Sequence, residues 1–273
     1  MESLSVRAAK KCLRGETVQI RDIMKSPQTV RLHEYATKVR AQLREKERIV
    51  VVMKDHQFLG IITRKDVMLL TTTKSNLKAR DIMSQPVLTV SPDEEIHAVG
   101  RKMIKKDVYS VPVMEGSHFL GIAHIDDIIQ EVYHPSSEKV RDIMTHEVVS
   151  CSRTEDITKV WNVMEVHNFT GLPVVDDIST SHRKYQKLVG VVTRKDILRA
   201  GDIRPGGDRQ RFTRPPAVEK VMTRTPHYVR PEDSVKVCVE LFQKYGIGRL
   251  PVVKNGLELA GIVDREDVLK IYV

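Results

Sequence analysis

The stretch GIITRKD at residues 60–66 recurs almost letter for letter as GVVTRKD at 190–196. It recurs in altered form as GIAHIDD at 121–127 and GIVDRED at 261–267. Each reads as a buried strand, Gly followed by aliphatic residues, running into a helix start. Such recurrence marks a repeated unit and has to be read before any single element is assigned.

Upstream of each phrase the same order of signals returns. RDIM stands at 21–24, 80–83 and 141–144, and VEKVM at 218–222 takes its place a fourth time. Short β-like runs follow: QTV (28–30), VLTV (87–90), EVVSC (147–151) and HYV (227–229). Apolar residues then fall at helical spacing, as in Ala36, Val39 and Leu43, or Ile157, Val160, Trp161 and Met164. Ser91-Pro92-Asp93-Glu94, and Ser152 with Glu155, read as capping boxes opening the second and third of these helices. The strands RIVVV (48–52), SVPVM (110–114), GLPVV (171–175) and RLPVV (249–253) come next. Turn signals such as Asn255-Gly256 join each to the opening phrase, whereas the third unit carries DDISTSHRKYQK (176–187), read as a long polar loop. A short helix closes every unit. The pattern is β-α-β-β-α, at 18–77, 78–135, 136–200 and 218–273, with an N-terminal extension 1–17 and a Gly/Pro/Arg-rich basic linker 201–217.

Composition narrows the function. Hydrophobic residues make up 41% and charged residues 30%, the balance of a folded, soluble chain. No apolar run approaches the ~18 residues of a membrane span, and no apolar segment suggests a secretory signal near the first residue. Cys12, Cys151 and Cys238 are far apart and form no CxxC pair, so they read as unpaired thiols in a reducing cytosol, and a cytoplasmic location is expected. The net charge of +9 points to an anionic partner: a nucleotide, a nucleic acid or an acidic protein surface. Neither a metal site nor catalysis is expected, because HExxH, GxSxG and phosphate-loop motifs are missing.

The pattern RDIM…TV…helix…PVV…G-aliphatic-aliphatic-TxxD resembles the CBS domain over nearly the whole chain from about residue 18. Stand-alone archaeal and bacterial CBS proteins, and the gamma subunit of the AMP-activated protein kinase, are similar in having four repeats without an attached enzyme. The resemblance implies an α/β (α+β) fold in which repeats 1–2 and 3–4 pair about pseudo-twofold axes as two Bateman modules. A physical reason stands beside it: a unit of roughly sixty residues buries too little apolar area to be secure alone. The implied function is a non-enzymatic regulatory protein that binds an adenine nucleotide (AMP, ADP or ATP) between paired repeats and signals to a regulated protein partner. S-adenosylmethionine is an alternative ligand, nucleic-acid binding on the basic surface an alternative function, and a homodimer a further expected assembly.

The motif residues suggest how a nucleotide would be held. A helix start presents free N–H groups to phosphate, and Thr63, Arg64 and Lys65 add a hydroxyl and positive charge. Asp66 would take a ribose diol. The same reading applies to Thr193, Arg194, Lys195 and Asp196, which makes repeats 1 and 3 the expected principal sites. Asp127 and Asp267 continue the series as weaker sites, since His124 and Asp264 replace the Thr. Arg48 and Arg249 precede their strands where the kinase gamma subunit places basic residues on phosphates. Thr-x-x-Asp is also a capping box that needs no ligand, and that alternative stays open.

Overall fold

The computed structural model describes residues 17–45, 47–68, 75–200 and 215–273, so most of the segment read as a basic linker lies outside the described residues. Among the described residues ten strands form four small sheets, one per repeat. Repeat 1 contributes β1 (Thr29–Arg31), β2 (Ile49–Lys54) and β3 (Gln57–Thr63), with β1 parallel and β3 antiparallel to β2. Repeat 2 contributes β4 (Ser110–Glu115) and β5 (His118–His124). Repeat 3 contributes β6 (Cys151–Ser152), β7 (Gly171–Ser179) and β8 (Lys184–Thr193), and repeat 4 β9 (Arg249–Val253) and β10 (Leu259–Asp264). The mixed α/β architecture expected from the repeats is present.

Each RDIM segment leaves its own repeat and docks on its sister. Ile20 N–H donates to Glu94 O, and Lys25 bridges to Ile122 of repeat 2. Ala79 N–H returns to Glu34 O, and Ser84 bridges to Ile61 of repeat 1. Repeats 3 and 4 exchange in the same way, with Thr145 on Ile262 and Thr223 on Val191. This exchange explains the glycine of the opening phrase. A Cβ on Gly60 would lie 2.7 Å from Ser84 O, one on Gly121 2.9 Å from Lys25 O, and those on Gly190 and Gly261 2.9 and 3.0 Å from Thr223 O and Thr145 O. The exchanged strand crosses too close for any side chain.

Two helix starts differ from the expected capping boxes. The second long helix runs Ile96–Lys106 and the third Ile157–Val166, each several residues later than Ser91 or Ser152 would place it. Ser91 N–H instead donates to Glu94 Oε1 in a tight turn. Glu95 is held extended because its neighbours bond the exchanged segment, Ile20 N–H to Glu94 O and Ile96 N–H to Val18 O. Tertiary pairing overrides the local signal. The polar stretch 176–187 is likewise no loop. β7 and β8 extend through it in register, Asp176 opposite Lys187 and Ile178 opposite Tyr185, and only 180–183 turn. Opposite charges and an apolar pair across the strands stabilise that extension.

Sheets pack within a module and helices pack between modules. Ile49, Val51 and Ile61 of repeat 1 meet Ile122 of repeat 2, capped by the stacked rings of Phe58 and Phe119 at 5.4 Å. On the helix side, repeat 1 shares a core with repeat 3, where Leu43 and Ile62 join Trp161, Met164 and Val192. Repeat 2 shares one with repeat 4, where Met103 and Ile128 join Cys238, Phe242 and Val268. Repeats 1 and 3 therefore face one another, as do 2 and 4.

Candidate ligand cleft

The TRKD phrase is largely engaged in holding the fold. Thr63 donates both its amide and its hydroxyl to Asp66 Oδ2, each at 2.7 Å, and Thr193 does the same to Asp196 at 2.9 and 2.6 Å. Asp264 and Asp267 make the reciprocal cap in repeat 4: Asp264 N–H donates to Asp267 Oδ2 at 3.0 Å and Asp267 N–H to Asp264 Oδ1 at 3.2 Å. Burial and the neighbouring Asp264 push the Asp267 carboxyl up to about 7.

The two arginines of the phrase are engaged with backbone carbonyls. Arg64 donates to Leu43 O and Glu47 O at the end of the helix Ala36–Glu45, and Arg194 donates to Met164 O near the end of Ile157–Val166. Helix ends leave carbonyls without internal partners, and a guanidinium satisfies them. Burial, then the adjacent Arg48 and Arg199, lowers Arg64 to about 10, and burial lowers Arg194 as well. Lys65 reaches across to Glu165 of repeat 3 at 3.1 Å. Lys195 lies near Glu45 of repeat 1, which Arg199 also contacts at 3.4 Å. The Thr, Arg and Asp of the phrase thus bond within their own repeat, while Lys65 faces the opposite one.

Arg48 and Arg249 serve as inter-repeat ties. Arg48 pairs with Asp126 of repeat 2 and donates to Gly246 O of repeat 4 at 3.1 Å. Arg249 donates to Gly171 O at 3.0 Å and to Asp264 at 3.1 Å, with its guanidinium over the Phe169 ring.

Repeat 2 departs from the other three. His124 shares a 2.7 Å hydrogen bond with Ser110 through Nδ1 and makes no cap with Asp127. Asp127 is 7% exposed; its Oδ1 lies 2.5 Å from Lys25 Nζ, and its buried Oδ2 has no hydrogen-bond partner. This carboxylate sits in a cleft of about 350 Å³ between repeats 1 and 2, lined by the exchanged Lys25-Ser26-Pro27, by Glu47, Arg48 and Ile49, and by His124, Asp126 and Asp127. The cleft thus lies at the motif of repeat 2, which the sequence ranks below repeats 1 and 3. A wider groove of about 480 Å³ beside Arg153 and Asp176 contains none of the motif residues and is polar and open.

Lys25, Glu47 and Asp126 are the charged cleft residues that sequence reasoning does not single out. Lys25 comes from the start of repeat 1 by strand exchange, which spacing alone conceals. Asp126 was visible as the acid standing where TRKD has Lys. Among the described residues no group of three or more His, Cys, Asp or Glu could hold a metal ion, and no helix is long and apolar enough to cross a membrane.

The CBS-domain family model matches residues 20–70, 79–134, 140–202 and 218–273. The chain is 25% identical over 206 residues to the uncharacterized protein MJ1225 of Methanocaldococcus jannaschii, covering 72% of this chain and 70% of that one. The crystal structure of MJ1225, proposed as an archaeal homologue of g-AMPK, matches with a TM-score of 0.80 at 23% identity, covering 94% of this chain and all of that one. An inosine-5′-monophosphate dehydrogenase of the same organism is 28% identical over 153 residues, and the match spans 55% of this chain but only 27% of that enzyme. A structure of CBSX2 in complex with AMP is 25% identical over half of this chain and 96% of its own, with a TM-score of 0.39.

Proposed function

The chain belongs to the CBS-domain family, and we propose on that premise that it is a non-enzymatic regulatory protein that senses an adenosine-type ligand. The observation that carries this reading is Asp127, which lines a cleft made jointly by two repeats and whose buried Oδ2 is an acceptor without a donor. A buried carboxylate oxygen left unpaired is costly, and a ribose diol supplies the missing donor. Ile49, Pro27 and the adjoining strand offer an apolar wall for a base. The cleft also borders Arg48 and Asp126, which tie repeat 1 to repeats 2 and 4. Ligand entry there would bias the packing of the modules, provided that it binds two arrangements unequally. A partner protein would read the change.

The sites at Asp66 and Asp196, with their Thr, Arg and Lys neighbours, and those at Asp267 and Arg249, remain secondary in this reading. A ligand at Asp66 or Asp196 would have to displace an existing cap. Calorimetry of the nucleotide-stripped chain with AMP, ADP, ATP and S-adenosylmethionine tests the proposal. Saturable binding that Asp127→Asn weakens about 10- to 150-fold is expected, the loss of one hydrogen bond to a charged group. Binding only to nucleic acid, falling steeply with added salt, would replace it with the basic-surface reading.

A further inference from the structure

The third repeat carries an arm that the others lack. Its strands β7 and β8 run for 9 and 10 residues, against 5 to 7 for the antiparallel pairs of the other repeats. In repeat 1 the short strand β1 covers β2 from Val51 to Met53, and β2 ends at Lys54. In repeat 3 β6 covers only Val174 and Val175. β7 then continues through Asp176–Ser179 with β8 as its sole strand partner among the described residues. On the β8 side the arm is fixed to repeat 4, where Lys187 bridges to Glu258 and Arg183 pairs with Glu258 at 2.6 Å. The open edge is thus held in place from behind.

That edge presents backbone groups. In repeat 2 Val90 N–H donates to Pro112 O and Met114 N–H donates to Val90 O, and Pro112 and Met114 stand where repeat 3 has Pro173 and Val175. Backbone groups alternate sides along a strand, so those of Asp177 and Ser179 point to the side of Pro173 and Val175, past the end of β6. Among the described residues nothing outside the arm hydrogen-bonds to them. Edge groups of this kind are a template for another strand. A groove of about 480 Å³ lies beside them, with buried Cys151 and Val175 and half-buried Ile178 in its wall.

Charge selects the strand that fits. Asp176 pairs with Arg153 at 3.1 Å, but the exposed Asp177 has no ion pair among the described residues and accepts only from the Gln186 amide at 3.3 Å. Pairing this edge with its copy on a second chain would set Asp176 and Asp177 alongside their own kind, and like charges across strands are destabilising. A strand with a basic residue opposite Asp177 meets no such repulsion. We infer that the β7 edge at Asp176–Ser179, with its groove, docks an extended segment of a partner protein that carries Lys or Arg opposite Asp177. The surface shares no residue with the repeat-2 cleft, so it stands or falls independently of the adenosine reading.

The test is to pan a display library of short linear peptides of random sequence on the full chain. The enriched peptides are then measured by fluorescence anisotropy on the natural chain, Ser179→Pro and Asp177→Lys. Proline at 179 removes an outward N–H and leaves the bonds to β8 in place. Enriched peptides are expected to alternate β-branched residues and to carry Lys or Arg. Each variant should bind them about tenfold more weakly, the loss of a backbone hydrogen bond or of the charge pairing. Exchanging the basic residue of the peptide for Glu should restore binding to Asp177→Lys. Should Ser179→Pro fail to fold, that charge exchange assigns the site instead. Enrichment of no peptide, or binding that is unchanged in either folded variant, overturns the inference. A natural chain that dimerises in sedimentation and turns monomeric in Ser179→Pro overturns the partner assignment in favour of a second copy.

Discussion

Arg265 of repeat 4 donates its Nε–H to the carboxylate of Asp126 in repeat 2, and Arg48 of repeat 1 binds the same carboxylate. Three repeats from two modules therefore meet at one acid. The Arg265 side chain is 9% exposed and that of Asp126 26%, so this pair is buried on one side only.

Removing Asp126 and removing Arg265 should have unequal effects. Asp126→Ala leaves a buried guanidinium without its carboxylate, and a loss of about 3 kcal/mol is expected, the low end for breaking a buried pair. Arg265→Met leaves Asp126 still paired with Arg48 and should be clearly milder. Urea unfolding of the two variants checks the order, and equal losses would show that the carboxylate is not shared as described. Gly248→Ala belongs to the same test. Its Cβ would lie 2.0 Å from Arg265 Nη1, so it should destabilise in the manner of Arg265→Met.

Arg64 and Arg194 should prove to be fold residues. Each closes the end of a neighbouring helix by donating to backbone carbonyls. Arg194→Met is expected to lower stability by about 1–3 kcal/mol, the cost of leaving buried polar groups unsatisfied, without altering ligand affinity at repeat 2. Thermal melts with and without adenosine measure both quantities, and a selective loss of ligand stabilisation would return Arg194 to the binding site.

Much of the fold is legible in the sequence because each repeat writes the same apolar periods, and four copies average out local ambiguity. The α-β-β-α order, Trp161 and Met164 in the core, and the closing helices all follow from spacing, whereas the opening β run is a strand only in repeats 1 and 3 and a single bridge at Val90 and Val229 in repeats 2 and 4. The misread helix starts share one cause. Residues 91–95 and 152–156 look like caps locally, yet the exchanged RDIM segments claim their backbone groups from afar. The site was harder. TRKD is prominent as a repeated phrase, and its Thr, Arg and Asp also make the contacts that open a helix and close its neighbour. Asp127 stands out less, though the cap lost through His124 already hinted at another role.

The stability of the chain should carry a pH signature from Asp267. Its folded carboxyl is raised to about 7 from an ordinary value of 3.8, by burial first and then by Asp264. The folded state therefore binds this proton more tightly than the unfolded state. The stabilisation is fully present below the unfolded value and is lost as pH rises through about 7. Asp267→Asn removes that dependence, while its amide oxygen can still accept from Asp264 N–H. Compared by urea unfolding from pH 5 to pH 8, the variant should gain on the natural chain as pH rises, because other groups titrate alike in both. A constant difference across that range would refute the raised value.

The four motif aspartates supply the sharpest comparison, because three are caps and one is not. Asp66 and Asp196 each accept from the amide and hydroxyl of their own Thr, so Asp66→Ala and Asp196→Ala should cost about 0.5–2 kcal/mol, the range for losing a cap. Adenosine-type affinity should barely move in either. Asp127 caps nothing; it holds Lys25 and keeps one buried oxygen without a donor. Asp127→Ala removes an unsatisfied acceptor along with a single partly exposed ion pair, so its stability should change by less than about 1 kcal/mol. Its ligand affinity should instead fall by the 10- to 150-fold or so expected for one hydrogen bond to a charged group. Paired melts and calorimetry on the three variants separate the two behaviours. If Asp66→Ala or Asp196→Ala abolishes binding while Asp127→Ala retains it, the repeated TRKD phrase is the nucleotide grip after all and the repeat-2 cleft is not.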